Sequence, residues 1–188
     1  NSIIENSLKL FSQKGFYNTT IPDIAKAMKM SVGNMYNYFS SKEELAKFAI
    51  KYSTNILAEE LKEINQLDVS SKEKIYIFVK RYLENVQNSP EVIEYFLRVY
   101  LSNREVFKQG CEGFLCVGEF VTEVMILLEE GASKKEFRQQ DFFPAFSMIM
   151  GCLGGFAFLS GENVLDKDLL SYSDSVADNI YRALKYDE

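Results

Sequence analysis

The sequence predicts an all-α protein with a head of three short helices at the N-terminus and a larger C-terminal helical bundle. Three observations lead there. Apolar residues recur at helical spacing along nearly the whole chain, and no alternating stretch bounded by turn residues argues for a strand. Capping and stop signals crowd into roughly the first 45 residues and thin out afterwards. Charge divides the chain at the same place, for residues 1–50 hold six lysines against four acids, +2, which leaves −8 on the rest of a chain of net charge −6.

The first helix is predicted over residues 2–14, with Ile4, Leu8 and Phe11 on one face, Ile3 and Leu10 beside it, and Gly15 as the stop. Thr20-Ile-Pro-Asp23 opens the second, since a Thr hydroxyl can accept from the N–H three residues on and Pro22 is tolerated in a first turn. That helix runs to about Met28. Ser31 caps a third over 32–38, and Ser41-Lys-Glu-Glu44 is a capping box that starts a fourth at Lys42. Only Lys29-Met30-Ser31 separates helices two and three. That turn is short enough to set two helices steeply, as in a helix-turn-helix whose second helix enters a major groove.

Farther on, the fourth helix continues to about Ile64. A capping box at Ser70–Glu73 precedes the stripe Ile75, Phe78, Val79, Tyr82, Leu83 and Val86. Ser89-Pro90 opens a helix bearing Val92, Ile93, Phe96, Leu97 and Tyr100, and Phe114, Val117, Phe120, Val121, Val124, Met125 and Leu128 mark another. These are the amphipathic members of a packed bundle.

Composition narrows the functions. The 188 residues suffice for one or two domains with a sizeable core, and 47% hydrophobic against 26% charged is the balance of a folded, soluble chain. With no histidine, Ser-His-Asp and Cys-His catalysis and the common metal sites are excluded, so neither an enzyme nor a bound metal or cofactor is expected. Cys111, Cys116 and Cys152 show no ligand spacing. They fit core thiols in a reducing cytoplasm, with a redox switch as the alternative. The positive N-terminal end is where a phosphate-binding surface belongs.

Residues 3–45 resemble the tetracycline-repressor (TetR) family without a gap. Ile3-Ile4, Leu10-Phe11, Gly15-Phe16, Thr19-Thr20-Ile21, Asp23-Ile24-Ala25, Ser31, Gly33, Tyr36, Phe39 and Lys42-Glu43-Glu44-Leu45 stand in family order and spacing. The resemblance implies a DNA-binding domain over 1–45 and a ligand-binding and dimerisation domain over 46–188, forming a two-fold homodimer. It implies that Thr20, Tyr36, Tyr38 and Lys42 face the phosphate backbone of an operator duplex. Val32, Gly33, Asn34 and Asn37 would then lie nearest the base edges. The chemistry of these residues agrees: hydroxyls, phenols and an ammonium at a helix start donate to phosphate, while an Asn amide can pair with adenine and Val32 can pack on a thymine methyl.

Other roles fit some of these residues. Tyr36 and Phe39, three apart, also suit a core, and Lys42 also suits a solvated first turn. Two positions depart from the family pattern. Lys29 replaces the usual Gly of the turn, and Val32 replaces a polar or basic residue.

The resemblance further implies a pocket for a small apolar or aromatic effector in the bundle, with Phe78, Tyr82, Tyr95, Phe96, Tyr100, Phe114 and Phe120 as the candidate lining. A solid aromatic core is the alternative for the same residues.

Residues 142–161 form a twenty-residue run without charge that contains the GxxxG pattern Gly151–Gly155. Pro144 near its start, the lack of a flanking basic cluster and the amphipathic stretch that follows disfavour a membrane span. A helix apolar all round must be covered on every side, and small residues permit close approach. By resemblance, 142–160 and 169–185 form the dimer interface, through Phe146, Met150, Gly151, Gly154, Gly155, Phe158, Val176, Ile180 and Leu184. A two-fold dimer presents its reading helices to major grooves about 34–36 Å apart. The sequence thus points to a cytoplasmic transcriptional regulator, most simply a repressor. A helical small-molecule-binding protein or enzyme without a DNA role is the alternative.

Overall fold

The computed structural model describes residues 2–95, 97, 104–107 and 117–186. Its helices are α1 (Ser2–Lys14), α2 (Ile21–Ala27), α3 (Val32–Tyr36), α4 (Lys42–Asn65), α5 (Ser71–Asn88), α6 (Pro90–Glu94), α7 (Arg104–Phe107), α8 (Gly118–Ser133), α9 (Phe142–Gly161) and α10 (Ser173–Leu184). A 3-10 turn, Leu169–Tyr172, leads into the last. Among the described residues no strand is present, and the one isolated β-bridge joins Phe137 to Lys185.

The chain forms two compact units, divided differently from the expected 1–45 and 46–188. The first comprises Asn1–Ile56 with Pro90–Gly118, and the second Leu57–Ser89 with Glu119–Glu188. The physical reason lies in α4. Its first half carries Leu45, Ala46, Ala49 and Ile50 into the head core, all fully buried, so the helix cannot be cut at its start.

In the first unit, Leu8 and Phe11 of α1 pack with Phe16, with Ile21, Ile24 and Ala25 of α2, with Met35 of α3 and with that face of α4. Full burial of each large side chain stabilises by roughly 1.5–3 kcal/mol. Gly15 stops α1 at φ +80°, where a side chain would be strained, and its N–H donates to Phe11 O at 2.8 Å. Tyr95 completes this core from the distant segment. It is fully buried, its ring lies 5.8 Å from that of Phe11, and its hydroxyl donates to Ala46 O at 2.8 Å. Burial pushes its phenol pKa far above the ordinary value, so the hydroxyl stays a donor. Ser12 ties α1 to α6 by donating to Glu91 O at 3.2 Å.

The second unit is built around α5, whose buried Ile75, Phe78, Val79, Tyr82, Leu83 and Val86 realise the predicted stripe. Helix α10 packs on α5 through Val176, Ala177, Ile180 and Leu184, and α9 contributes Ala145, Ile149, Leu153 and Ala157. Lys74 is buried with them. Its ammonium donates to Asn65 O at 2.8 Å and to Glu130 Oε2 at 2.7 Å, capping the end of α4 and pairing with α8.

Candidate nucleic-acid interface

The head presents α3 by capping both helices that flank the turn. Thr20 is the N-cap of α2. Its Oγ1 accepts from Asp23 N at 3.3 Å, while its own N–H and hydroxyl donate to Asp23 Oδ2 at 2.9 and 2.6 Å. That hydroxyl, and then the Thr20 N–H, hold the Asp23 carboxyl below the usual carboxylate range. Thr20 was expected to donate to phosphate, but its hydroxyl proton is already engaged here, beside a negative charge. Its role in the free head is that of a cap.

Helix α2 ends at Ala27 with Met28 as its C-cap, and Lys29 turns the chain in the left-handed region at φ +55°. This is the conformation that glycine adopts freely and that costs other residues about 1 kcal/mol, so Lys29 takes the turn that a glycine would make, at some strain. Ser31 then caps α3, accepting from Asn34 N at 3.2 Å.

Helix α3 is five residues long and stops at Tyr36, two short of the expected 38. Tyr38 N and Phe39 N both donate to Met35 O, at 3.0 and 3.1 Å, and fold the chain out of the helix toward α4. Met35 is fully buried and anchors the helix. Around it Val32, Gly33, Asn34, Tyr36, Asn37 and Tyr38 are all exposed, with Tyr36 at 53% and Tyr38 at 61%. These six are brought together on one uncovered surface. The exposure of Tyr36 disfavours the core reading, whereas Phe39 is partly buried against the core and meets Phe48 edge-on at 5.5 Å. Asn37 Nδ2 donates to Asn34 Oδ1 at 3.4 Å, joining two of the candidate base readers. A Cβ built on Gly33 would meet nothing within 4 Å, so packing inside the chain does not require glycine there.

Lys42 departs from expectation. Its ammonium donates to Phe16 O at 2.9 Å and to Thr19 O at 3.0 Å, and it lies 4.3 Å from the centre of the Phe16 ring. These contacts fasten the α1–α2 turn to the start of α4 and account for a cation at a helix N-terminus without a phosphate. Because its partners are backbone carbonyls some two dozen residues away, no local pattern announces them. Lys42→Ala is expected to lower the stability of the head by about 1.5–3 kcal/mol while leaving the salt dependence of DNA binding unchanged. Thermal melts and a salt titration of affinity check the two halves of this expectation.

The effector-pocket candidates are dispersed. Phe78, Tyr82 and Phe120 are buried in the second unit, with Phe78 and Phe120 rings 6.3 Å apart, as in a solid core. Tyr95 belongs to the head core instead, because its hydroxyl finds a partner on α4. Phe96, Tyr100 and Phe114 lie outside the described residues. The second unit has a surface cleft lined by Met125, Leu128, Phe137, Arg138, Phe142 and Ala145, among others, and none of the candidates is in it.

The interface candidates separate by helix. Val176, Ile180 and Leu184 are buried against their own chain, because α10 has a single apolar stripe and α5 takes it; they are withdrawn from the interface. Helix α9 is the reverse. Phe143, Ser147, Gly151, Gly155 and Phe158 are exposed, and Phe146, Met150 and Gly154 are half-buried. By length and composition α9 could cross a membrane, yet little of its apolar surface is buried, so the expected cover on every side is not supplied by the described residues. Among the described residues no cluster of metal-ligating side chains occurs.

Residues 3–48 match the family of bacterial regulatory proteins, tetR family. The uncharacterized HTH-type transcriptional regulator YuxN of Bacillus subtilis is 50% identical over 50 residues, 27% of this chain and 17% of that protein. The HTH-type negative transcriptional regulator of the biofilm operon icaADBC, IcaR of Staphylococcus aureus, is 28% identical over 103 residues, 53% of this chain. The chain spans only half of that relative's length. Among solved structures, the transcriptional regulator FadR from Bacillus subtilis in complex with stearoyl-CoA superposes with a TM-score of 0.83 at 20% identity, covering 96% of each chain. The fatty acid degradation regulator FadR from Bacillus halodurans gives 0.82 at 18% identity, covering 96% of this chain and 93% of that one. The chain thus shares the fold of these solved structures, and its similarity to the tetR family of bacterial regulatory proteins is carried by residues 3–48.

Proposed function

We propose that this chain is a cytoplasmic, dimeric, sequence-selective DNA-binding regulator of transcription, acting as a repressor under the control of a small apolar effector. The observation that carries the reading is the α3 surface: a helix capped at Ser31, anchored by the buried Met35, with every other side chain turned outward. Such a surface has no use inside the chain, and its inventory of Val32, two Asn amides and two phenols suits base edges and phosphates. Gly33 leaves room for close approach. Thr20 and Lys42 serve this interface by holding its scaffold.

Repression is supported by the likeness to IcaR, a negative regulator. An effector with a long acyl chain falls within the apolar class and is supported by the stearoyl-CoA held by the Bacillus subtilis FadR, whose fold this chain shares. Dimerisation is supported by the uncovered face of α9, which needs an apolar partner.

The test uses the full chain and duplexes it selects from a random-sequence library. Selection of one recurrent motif, with affinity falling steeply as salt rises, is the expected result, since each neutralised phosphate releases counterions. Enrichment of no motif by a folded protein would refute the proposal.

A further inference from the structure

Lys29 occupies a position where the backbone favours glycine. Its φ of +55° closes α2, with Lys29 N donating to Lys26 O at 3.1 Å and Met30 N to Ala25 O at 2.9 Å. These are the bonds of a helix end that a residue without a Cβ completes with least strain. Among the described residues nothing offsets the strain through the side chain. Lys29 is exposed, and among the described residues its ammonium has no carboxylate or carbonyl partner.

Conformation alone does not single it out, for Lys135 and Asn163 in the second unit share it. Placement does. Lys29 stands in the turn between the two helices of the helix-turn-helix, two residues before the N-cap of α3 and one helical turn beyond the exposed Lys26. The chain as a whole is acidic at −6, so a cation here adds to the +2 balance of residues 1–50, which contain the helix-turn-helix. Lys42, by contrast, has its ammonium turned to Phe16 O and Thr19 O.

We propose that Lys29 is a phosphate-contacting residue of the DNA interface, its ammonium delivered from the tight turn to the duplex backbone beside the groove that α3 enters. The inference rests on the DNA-binding reading above. A flexible ammonium carries charge to a phosphate without reading sequence, so it sets affinity and salt dependence and leaves base preference alone.

The test compares the full-length wild type with Lys29→Gly, Lys29→Asn and Lys29→Arg on a duplex selected by the wild type. Affinity is followed by fluorescence anisotropy from about 50 to 200 mM salt. Glycine and asparagine both tolerate the turn, so neither variant should melt below the wild type, and the glycine variant should melt at or above it. Both should bind more weakly, with a slope of log affinity against log salt shallower by about 0.9 for each bound head. Over that range the wild-type advantage should shrink about 3.5-fold per head. The base preference should not change, and arginine should restore the slope. Unchanged slopes in both the glycine and asparagine variants, with a steep wild-type slope, overturn the role of Lys29 and leave DNA binding standing. A wild type that selects no duplex overturns both.

Discussion

Replacing Gly151 by glutamate is expected to leave the monomer folded and to abolish the proposed dimer, with affinity for the selected duplex falling by a factor of about 10²–10⁴ as the advantage of two linked heads is lost. The separation of effects follows from the geometry. Gly151 is exposed on α9, and a Cβ there meets nothing within 4 Å, so the longer side chain has open space in the isolated chain. In a dimer that covers α9, the same carboxylate would be buried without a partner, at a cost that the interface cannot absorb. Light scattering at micromolar concentration should read one chain per particle, while circular dichroism and the melting temperature stay near wild type. A dimer of unchanged stability would exclude α9 as its interface. Val176, Ile180 and Leu184 make poor probes of the same question, since they lie in the core against α5.

Gly33→Ala should move stability and binding in opposite directions. Alanine is preferred to glycine inside a helix by about 0.5–1 kcal/mol, and the structure shows no neighbour within 4 Å for the new methyl to strike. The free protein should therefore melt slightly higher. Against DNA the methyl occupies the space through which the backbone of α3 would approach the bases, and overpacking of a close contact costs about 1–3 kcal/mol. That corresponds to roughly a 5- to 150-fold loss of affinity. Differential scanning calorimetry and anisotropy on one preparation give both values. A gain in stability with no loss of binding would show that α3 does not approach the duplex at Gly33.

How far the sequence could be read depended on whether a signal was local. The caps at Thr20, Ser31 and Ser70 and the stop at Gly15 lie within three or four residues of their partners, and all four form where they were expected. The six exposed residues around Met35 were singled out through the family resemblance alone, since no pattern in so short a helix marks Met35 as its buried position. The long-range partners were not. Nothing near Tyr95 indicates Ala46, and nothing near Lys42 indicates Phe16 and Thr19, since the fold alone brings these together. The same limit explains α10. Its stripe promised an apolar face but could not say whether its own chain or another would cover it. Lys29 falls between the two cases, for its departure from glycine was visible in the sequence whereas its unpaired ammonium needed coordinates.

The Tyr95 ring, set among residues that otherwise come from the first fifty, bears on how the head can be handled as a part. A fragment ending within α4 would lack the side chain that fills the space beside Phe11 and satisfies Ala46 O. Grafting this head onto another protein would therefore require transplanting two stretches of chain, 1–56 and the region around α6, or filling the vacated volume by redesign. Recombination at the start of α4, the boundary that residue patterns suggest, would yield chimaeras with a hollow core.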